Sequence, residues 1–216
     1  MTIQVSAYRW VPPFAQGYVK DLRVRWALEE AALPYEATLI GLPGADEEGY
    51  LQWQPFGQVP AYRDGEVEMF ESGAIVLHLA ARSEALAPRS EAGRARVTSW
   101  VLAALNSVEP FARNLVEIDD APADAAWAKE RRPQVEAALD RRLAALSAWL
   151  EGKDYLEGRF TAGDVIMATV LRELVDGGAL SRFPVVDAYR QRCVARPAFG
   201  RALEAQLQVF RENEPA

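Results

Sequence analysis

The sequence predicts a protein of the α/β plus all-α class, built from two parts that meet near residues 84–92. Before this point, short strand-like runs alternate with stretches of helical hydrophobic spacing. After it the spacing is helical, and proline and glycine residues separate one helical stretch from the next. We therefore expect an α/β domain over residues 1–84 and an all-helical domain over residues 92–216.

The first part opens with a strand, a helix and a second strand. Residues 3–8 form a short strand-like run, and residues 19–32 follow with apolar side chains at helical spacing. Pro34 ends that helix, because proline lacks the amide hydrogen that a helix needs. Residues 35–39 are then predicted as a strand, which completes a βαβ unit.

A hairpin and a helix complete the first part. Asp64 and Gly65 stand between two strand-like runs, and an Asp-Gly pair in this position is typical of a β-hairpin turn. Ser72 stands at the start of the next helix, where a serine hydroxyl can cap the first turn. The order is then βαβ, helix, ββα. The segments are an ambiguous one at 46–54, strands at 59–63 and 67–70, and a helix at 72–82.

The second part is predicted to be entirely helical. One helix begins with a capping box, in which Thr161 caps the first turn and Asp164 accepts a hydrogen bond from the Thr161 amide. Pro110 lies inside the first of these helices and is expected to kink it. The predicted helices are 94–117, 124–151, 162–175, 185–195 and 198–211.

Composition and two single residues exclude several classes of function. The 216 residues include 24 basic and 31 acidic ones, giving a formal net charge of −7, which disfavours nucleic acid and anionic lipid as partners. Cys193 and His78 are the only residues of their types. They cannot supply a disulfide, a thiolate zinc cluster or a histidine-rich metal site. No apolar run is long enough for a membrane span, and a reducing cytoplasm is the expected location.

Two short motifs suggest a binding site for a peptide. Val59-Pro60 opens a predicted strand, where a cis peptide bond would leave the valine N–H and C=O groups free to pair with an extended ligand. Glu71 and Ser72 stand at a helix start, where hydroxyl and amide groups bind carboxylates. The Glu71 carboxylate can accept a hydrogen bond from an ammonium group. Together the motifs suit an α-amino acid head with a peptide behind it.

With these motifs the sequence resembles the cytosolic glutathione transferase family, including its bacterial members, over nearly the whole chain. That family combines a thioredoxin-like βαβαββα domain, a Val-Pro cis bond, a Glu/Asp-Ser pair and an all-helical domain with a Ser/Thr-x-x-Asp capping box. The resemblance implies that Val59 pairs with the cysteinyl part of glutathione and that Pro60 holds the turn. It also implies that Glu71 and Ser72 bind the γ-glutamyl group, with Gln58 adding a side-chain contact.

The resemblance leaves open which residue activates the glutathione thiol. The family uses a hydroxyl or a cysteine between the first strand and the first helix, because a thiol with a pKa of about 8.5 is only slightly ionised at neutral pH. Counting back from the helix selects Tyr18, and counting forward from the strand end selects Tyr8. The third possibility is that no side-chain hydroxyl acts. Arg9, Lys20 and Arg23 are further candidates, since their charges favour a thiolate.

In this family the electrophile site forms where the first helix of the second domain faces the ligand cleft. This implies roles for Asn106 and Arg113, which share a predicted helical face with Glu109. A solvated face or a subunit contact is the alternative for these residues. Trp10 and Phe14 would form an aromatic wall suited to an apolar electrophile, with simple loop packing as the alternative.

The expected function is that of a glutathione transferase acting in detoxification. It would add the glutathione thiolate to an electrophilic, apolar small molecule, with glutathione as cosubstrate and no metal or organic cofactor. The resemblance also implies a homodimer. The alternatives are a glutathione-dependent peroxidase, isomerase or dehalogenase, or a non-catalytic binding module on the same fold. A thiol reductase is disfavoured, because no cysteine precedes the first helix.

Overall fold

The computed structural model describes residues 2–42 and 49–215. The chain divides into two compact units, Met1–Pro88 together with Arg196–Ala216, and Arg89–Ala195. The C-terminal helix is thus grouped with the first unit, whereas the sequence-based boundaries place it in the helical domain. The ambiguous segment predicted at 46–54 lies partly outside the described residues, and a short helix occupies its second half.

In the described part of the first unit, four strands form a mixed sheet: β1 (Ile3–Tyr8), β2 (Tyr35–Ile40), β3 (Ala61–Asp64) and β4 (Val67–Phe70). Among the described residues, the same part of the chain forms the α-helices α1 (Asp21–Glu30), α2 (Tyr50–Trp53) and α3 (Ser72–Arg82) and a short 3-10 helix at Pro13–Ala15. The strand order is β2-β1-β3-β4, with β1 parallel to β2 and the other neighbours antiparallel. The predicted thioredoxin-like βαβαββα order is therefore confirmed.

The β3–β4 hairpin differs from its prediction by one position. Asp64 pairs with Val67, so the two loop residues are Gly65 and Glu66. Asp64 therefore still belongs to the ladder, and the prediction that it forms the turn with Gly65 was wrong. Gly65 has a φ angle of 63°, a left-handed conformation that glycine adopts without steric cost.

Helix α1 lies in the interior of the first unit. All residues from Asp21 to Leu28 are buried, and the helix packs against α3 and against the C-terminal helix α9 (Pro197–Glu212). The Trp26 ring meets the Phe199 ring edge-on, with the ring centroids 4.8 Å apart. Arg196 donates two hydrogen bonds of 2.6 and 2.7 Å to the Glu30 carboxylate. Helix α9 therefore covers α1 and completes the first unit.

The second unit is all-helical, as predicted. Its α-helices are α4 (Glu91–Ala103), α5 (Glu109–Asp119), α6 (Ala126–Leu150), α7 (Ala162–Arg172) and α8 (Pro184–Val194), and a 3-10 helix lies at Ala179–Arg182. The helix predicted at 94–117 is divided, because a π-helical turn at Ala104–Val108 separates α4 from α5. Pro110 lies in the first turn of α5, where its missing amide hydrogen disrupts no helical bond. Instead of the expected kink at Pro110, the regular α-helix is interrupted by the π-helical turn just before this residue.

Candidate active site

The cis peptide bond expected between Val59 and Pro60 is present. Strand β3 begins only at Ala61, so Val59 precedes the paired part of the strand. Among the described residues, the Val59 N–H and C=O groups have no hydrogen-bond partner. Val59 and Pro60 are buried, whereas Gln58 is exposed. The segment therefore offers one backbone donor and one acceptor to an extended chain.

A chain of hydroxyl groups fixes the residues on both sides of this bond. The Ala61 N–H donates to Ser6 Oγ at 2.6 Å, and the Tyr50 hydroxyl donates to the Gln58 carbonyl at 2.5 Å. The Ser6 and Tyr50 oxygens are 2.8 Å apart. Because Tyr50 gives its hydrogen to Gln58, Ser6 donates to Tyr50. Neither hydroxyl was predicted to contribute to the site, although a serine in the middle of a buried strand signals a polar role there.

The start of α3 combines an exposed carboxylate with free donors. Glu71 has φ and ψ angles of 70° and 113°, a conformation that residues with a side chain rarely adopt, and its side chain makes no capping bond. Ser72 is the first helical residue and is buried. The first amides of a helix have no acceptor within the helix. This arrangement suits an ammonium group at Glu71 and a carboxylate at Ser72.

A buried arginine joins the α3 start. Arg23 of α1 donates from Nη1 to Ser72 Oγ at 3.3 Å, and both residues are buried. The guanidinium adds positive charge where the helix dipole already favours an anion. The sequence suggested Arg23 as a charge for the thiolate, whereas this contact makes it a candidate for holding a carboxylate. Helical spacing gave no signal for the pair, because the residues are 49 positions apart.

The two candidate tyrosines lie before α1. Tyr8 ends β1 and is half-buried, and burial together with the charge of Asp21 raises its pKa above the usual 10.0. Its hydroxyl therefore keeps its hydrogen at neutral pH and can donate it. Tyr18 is also half-buried, and its amide donates to the Ala15 carbonyl at 3.0 Å in the turn that leads into α1. Both tyrosines stay candidates for donating a hydrogen bond to a thiol.

The residues predicted to hold an electrophile belong to both units. Trp10 is half-buried and Phe14 is 84% exposed, both in the first unit. In the second unit Asn106 is exposed within the π-helical turn. Arg113 pairs with Glu173 at 3.3 Å, so its charge is already compensated there. Phe14 is therefore the largest apolar surface that these four residues offer.

The described residues hold no cluster of metal-binding side chains, no exposed histidine or cysteine and no helix suited to span a membrane. Over residues 2–42 and 49–215, no three histidine, cysteine, aspartate or glutamate side chains form a group that could hold a metal ion. His78 packs edge-on against Tyr62, and burial lowers its pKa. Cys193 is buried in α8. No helix of these residues has the length and apolar composition needed to cross a membrane.

Two family models match the chain. The model of the glutathione S-transferase N-terminal domain matches residues 16–81, and that of the C-terminal domain matches residues 108–197. The chain belongs to the glutathione S-transferase family. The first of these matches contains the cis bond, the α3 start and Arg23.

Relatives of the glutathione S-transferase family align over most of the chain. A glutathione S-transferase of Hyoscyamus muticus is 30% identical over 200 residues, which are 85% of this chain and 92% of the relative. The disulfide-bond oxidoreductase YfcG of Escherichia coli is 31% identical over 196 residues, with 83% of this chain and 88% of the relative covered. Similar members of the family thus include a transferase and an oxidoreductase.

Solved structures of glutathione S-transferases share the fold. A family member from Pseudomonas fluorescens, with two glutathione molecules bound, superposes with a TM-score of 0.80 at 25% identity and covers 94% of this chain and 92% of its own. A glutathione transferase from Burkholderia graminis, also with two glutathione molecules per subunit, gives a TM-score of 0.79 at 25% identity, with coverages of 94% and 88%. These neighbours confirm a thioredoxin-like domain followed by a helical domain.

Proposed function

We propose that this protein binds glutathione and adds its thiolate to an electrophilic, apolar small molecule. The observation that carries the proposal is the free backbone edge at Val59. An extended peptide pairs with such an edge through main-chain hydrogen bonds. The proposal gives the γ-glutamyl carboxylate to Ser72 and Arg23, because a carboxylate binds most strongly to charged and helix-start donors. Glu71 would accept from the ammonium group, and Gln58 would add a side-chain contact.

The chemistry requires a thiolate at neutral pH. A free thiol has a pKa of about 8.5, and each unit by which the site lowers it is worth about 1.4 kcal/mol. A tyrosine hydroxyl that donates to the sulfur stabilises the thiolate, and Tyr18 is the first candidate, followed by Tyr8. The thiolate then attacks a carbon of the electrophile, so that an S–C bond forms and the leaving group departs with its electron pair. Trp10 and Phe14 would offer apolar surface to that electrophile.

A second candidate function is disulfide reduction by glutathione. The similarity to the Escherichia coli oxidoreductase supports it, as do the two glutathione molecules in the neighbouring structures. One glutathione thiolate would attack a disulfide, breaking its S–S bond and forming a mixed disulfide. A second glutathione would then release the remaining thiol and form glutathione disulfide. This route needs no protein thiol, which fits a chain whose one cysteine is buried.

We further propose that the protein works as a homodimer in a reducing cytoplasm, with a role in detoxification. Phe56 and Leu51 of the first unit are 69% and 62% exposed, and exposed apolar side chains of this size favour a subunit contact. A single buried cysteine fits a reducing compartment. Sedimentation equilibrium of the full chain tests the dimer.

The test of the function is a titration of bound glutathione. The absorbance of the glutathione thiolate at about 240 nm is followed against pH in the wild type, in Tyr18→Phe and in Tyr8→Phe. We expect the bound thiol to have a pKa below its usual value of about 8.5, and one substitution to raise it by about one unit or more. An unshifted thiol in the wild type contradicts the enzyme and favours the binding module.

Matched variants separate binding from activation. Ser72→Ala should weaken glutathione binding roughly ten-fold, because a charge-assisted hydrogen bond is lost, and leave the thiol pKa of the bound fraction unchanged. Tyr155→Phe removes a hydroxyl in the second unit and should change neither quantity. Product analysis with an aryl halide and with a small disulfide then distinguishes the transferase from the reductase.

A further inference from the structure

Gln206 of α9 reaches the turn in front of α1. Its Nε2 donates to Asp21 Oδ1 at 2.6 Å and to the Val19 carbonyl at 3.2 Å. Gln206 is 1% exposed and Asp21 is fully buried. Both residues belong to the first compact unit, although 185 positions separate them in sequence. A side chain from the end of the chain therefore holds the start of the helix that follows the candidate catalytic turn.

The N-cap residue of α1, Lys20, makes no side-chain capping bond. Arg25 Nε donates to Asp21 Oδ2 at 2.7 Å, so Arg25 and Gln206 each hold one oxygen of that carboxylate. The Val19 carbonyl accepts from the Leu22 amide at 3.0 Å in addition to Gln206. Gln206 thus restrains the segment in front of α1 by donating to the Val19 carbonyl and to the Asp21 carboxylate.

Both candidate tyrosines adjoin this point. Tyr18 directly precedes Val19 in the chain. Tyr8 lies close enough to Asp21 for the carboxylate charge to raise the tyrosine pKa. The Val19 to Asp21 segment is therefore joined directly to Tyr18 and lies near Tyr8.

We propose that Gln206 is a positioning residue of the thiol-activating turn, holding the Val19 carbonyl and the Asp21 carboxylate so that the hydroxyl donor keeps its direction toward the glutathione sulfur. The inference rests on the proposed function. A hydrogen bond weakens steeply with distance and angle, so a shift of about 1 Å in the turn is enough to lose thiolate stabilisation. Gln206 acts through the turn and is not assigned a contact with glutathione.

Helix α9 is suited to this role because it is docked along its length. Arg196 pairs with Glu30 at one end, and the Phe199 ring packs on Trp26. Arg201 pairs with Glu29 at 2.7 Å on the exposed side of the same contact. The helix that carries Gln206 therefore holds a fixed position against α1.

Gln206 can be replaced by a residue of similar length that makes no hydrogen bonds. Among the described residues, its buried Oε1 has no hydrogen-bond partner. Gln206→Met keeps the length of the side chain, removes both donated bonds and leaves no unpaired polar atom at position 206. Gln208→Met is the matched control, because Gln208 is exposed on the same helix and its side chain donates to Glu212. Arg201→Met is a second control, since it weakens the docking of α9 away from the turn.

The experiment compares these variants in the full chain. In Gln206→Met we expect the pKa of the bound glutathione thiol to rise by about one unit, which lowers kcat below that pKa about ten-fold. KM for glutathione should change by less than about two-fold, because Val59 and Ser72 still hold the peptide. Hydrogen exchange at the Leu22 amide should become faster, which reports on the turn without reference to catalysis. Both control variants should match the wild type in thiol pKa.

The outcomes separate this inference from the proposed function. A lowered thiol pKa in the wild type that Gln206→Met leaves unchanged overturns the positioning role alone, even if the variant melts at a lower temperature. An unshifted thiol in the wild type overturns the proposed function, and this inference with it. If Gln206→Met does not fold, Gln206→Asn serves instead, because its shorter amide is withdrawn from Val19 and should raise the thiol pKa in the same direction by a smaller amount.

Discussion

Two aspartates, Asp21 at the start of α1 and Asp164 in the first turn of α7, are held in different ways. Both are fully buried, and burial raises the pKa of each above its usual value of 3.8. Asp164 is bound by neutral donors close in sequence and by one tyrosine. Asp21 is bound by a buried arginine and by a glutamine from the far end of the chain.

The Asp164 carboxylate accepts four hydrogen bonds. The Thr161 amide and hydroxyl donate to Oδ2 at 2.8 and 3.0 Å, which confirms the predicted capping box. The Leu156 amide and the Tyr189 hydroxyl donate to Oδ1 at 3.0 and 2.9 Å. Asp164 therefore joins the loop before α7 to α8, and its role is to hold the second unit together.

The Asp21 carboxylate sits in an ion pair beside the candidate active site. Arg25 lies one helical turn away, and Gln206 connects the carboxylate to α9. The donors to Asp164 all belong to the second unit, so this carboxylate serves the folding of that unit. Asp21 is paired with a cation and with a glutamine of α9, and it is the aspartate to which we assign a part in positioning the turn before α1.

The largest effect is expected from Asp164→Ala. Four buried donors lose their acceptor, and the free energy of unfolding should fall by roughly 3–5 kcal/mol. Denaturant unfolding of the full chain measures the loss. Asp187→Ala is the control, because Asp187 pairs with Arg190 near the start of α8 while partly exposed and should cost less than about 1 kcal/mol. Similar losses in the two variants would contradict the structural role of Asp164.

The next effect concerns the ion pair of Asp21. Asp21→Leu leaves the Arg25 guanidinium buried without its carboxylate and should lower the free energy of unfolding by about 3 kcal/mol. The double variant Asp21→Leu/Arg25→Met removes both charges and should recover at least half of that loss, as a double-mutant cycle can show. No recovery would mean that the carboxylate serves Gln206 and the turn rather than Arg25.

The sequence predicted the contact between Thr161 and Asp164, which are close in the chain, but it did not predict the contact between Gln206 and Asp21. Thr161 and Asp164 are three residues apart, so the spacing of the capping box was visible in the chain. The Val59-Pro60 bond and the Ser72 helix start were likewise found from neighbouring residues. Their recognition needed no knowledge of how the elements pack.

The missed contacts of Gln206 and Arg23 join distant segments. Gln206 and Asp21 are 185 positions apart, and Arg23 and Ser72 are 49 apart, so neither pair has a periodic signal. The choice between the two tyrosines stayed open for a related reason. The loop between β1 and α1 is long enough that counting from its two ends selects different residues. Packing decides such contacts, and hydrophobic spacing does not encode it.

A smaller effect on stability distinguishes the hydrogen bonds of Asp164 from those of Asp21. Tyr189→Phe removes one of the four donors to Asp164 and should lower the free energy of unfolding by about 1 kcal/mol. Because Tyr189 belongs to the second unit, the pKa of bound glutathione should not change. Gln206→Met also removes a single donor from a buried aspartate, but there the thiol pKa should rise. Equal thiol pKa values in the two variants would erase the functional difference between the aspartates.

The smallest expected effect on stability comes from Asp64, which lies near the surface. Its pKa is shifted in the direction opposite to those of Asp21 and Asp164. A hydrogen bond from Arg82 is the main cause that lowers the pKa of Asp64 below 3.8, whereas burial raises those of Asp21 and Asp164. A lowered carboxyl pKa stabilises the folded state above the unfolded value, and this contribution disappears as the pH falls through the folded pKa. Since Arg82 is well exposed, the contribution of this pair to the free energy of unfolding should be below about 1 kcal/mol.

Unfolding of the wild type and of Asp64→Asn between about pH 6 and about pH 2 measures this contribution. The difference in the free energy of unfolding should be greatest near the upper end and should shrink as Asp64 is protonated. A constant difference across this range would show that the Arg82 pair contributes nothing that depends on the charge of Asp64. The buried aspartates act in the opposite direction, because a raised carboxyl pKa makes the folded state lose stability as the pH rises from 3.8 through the folded pKa.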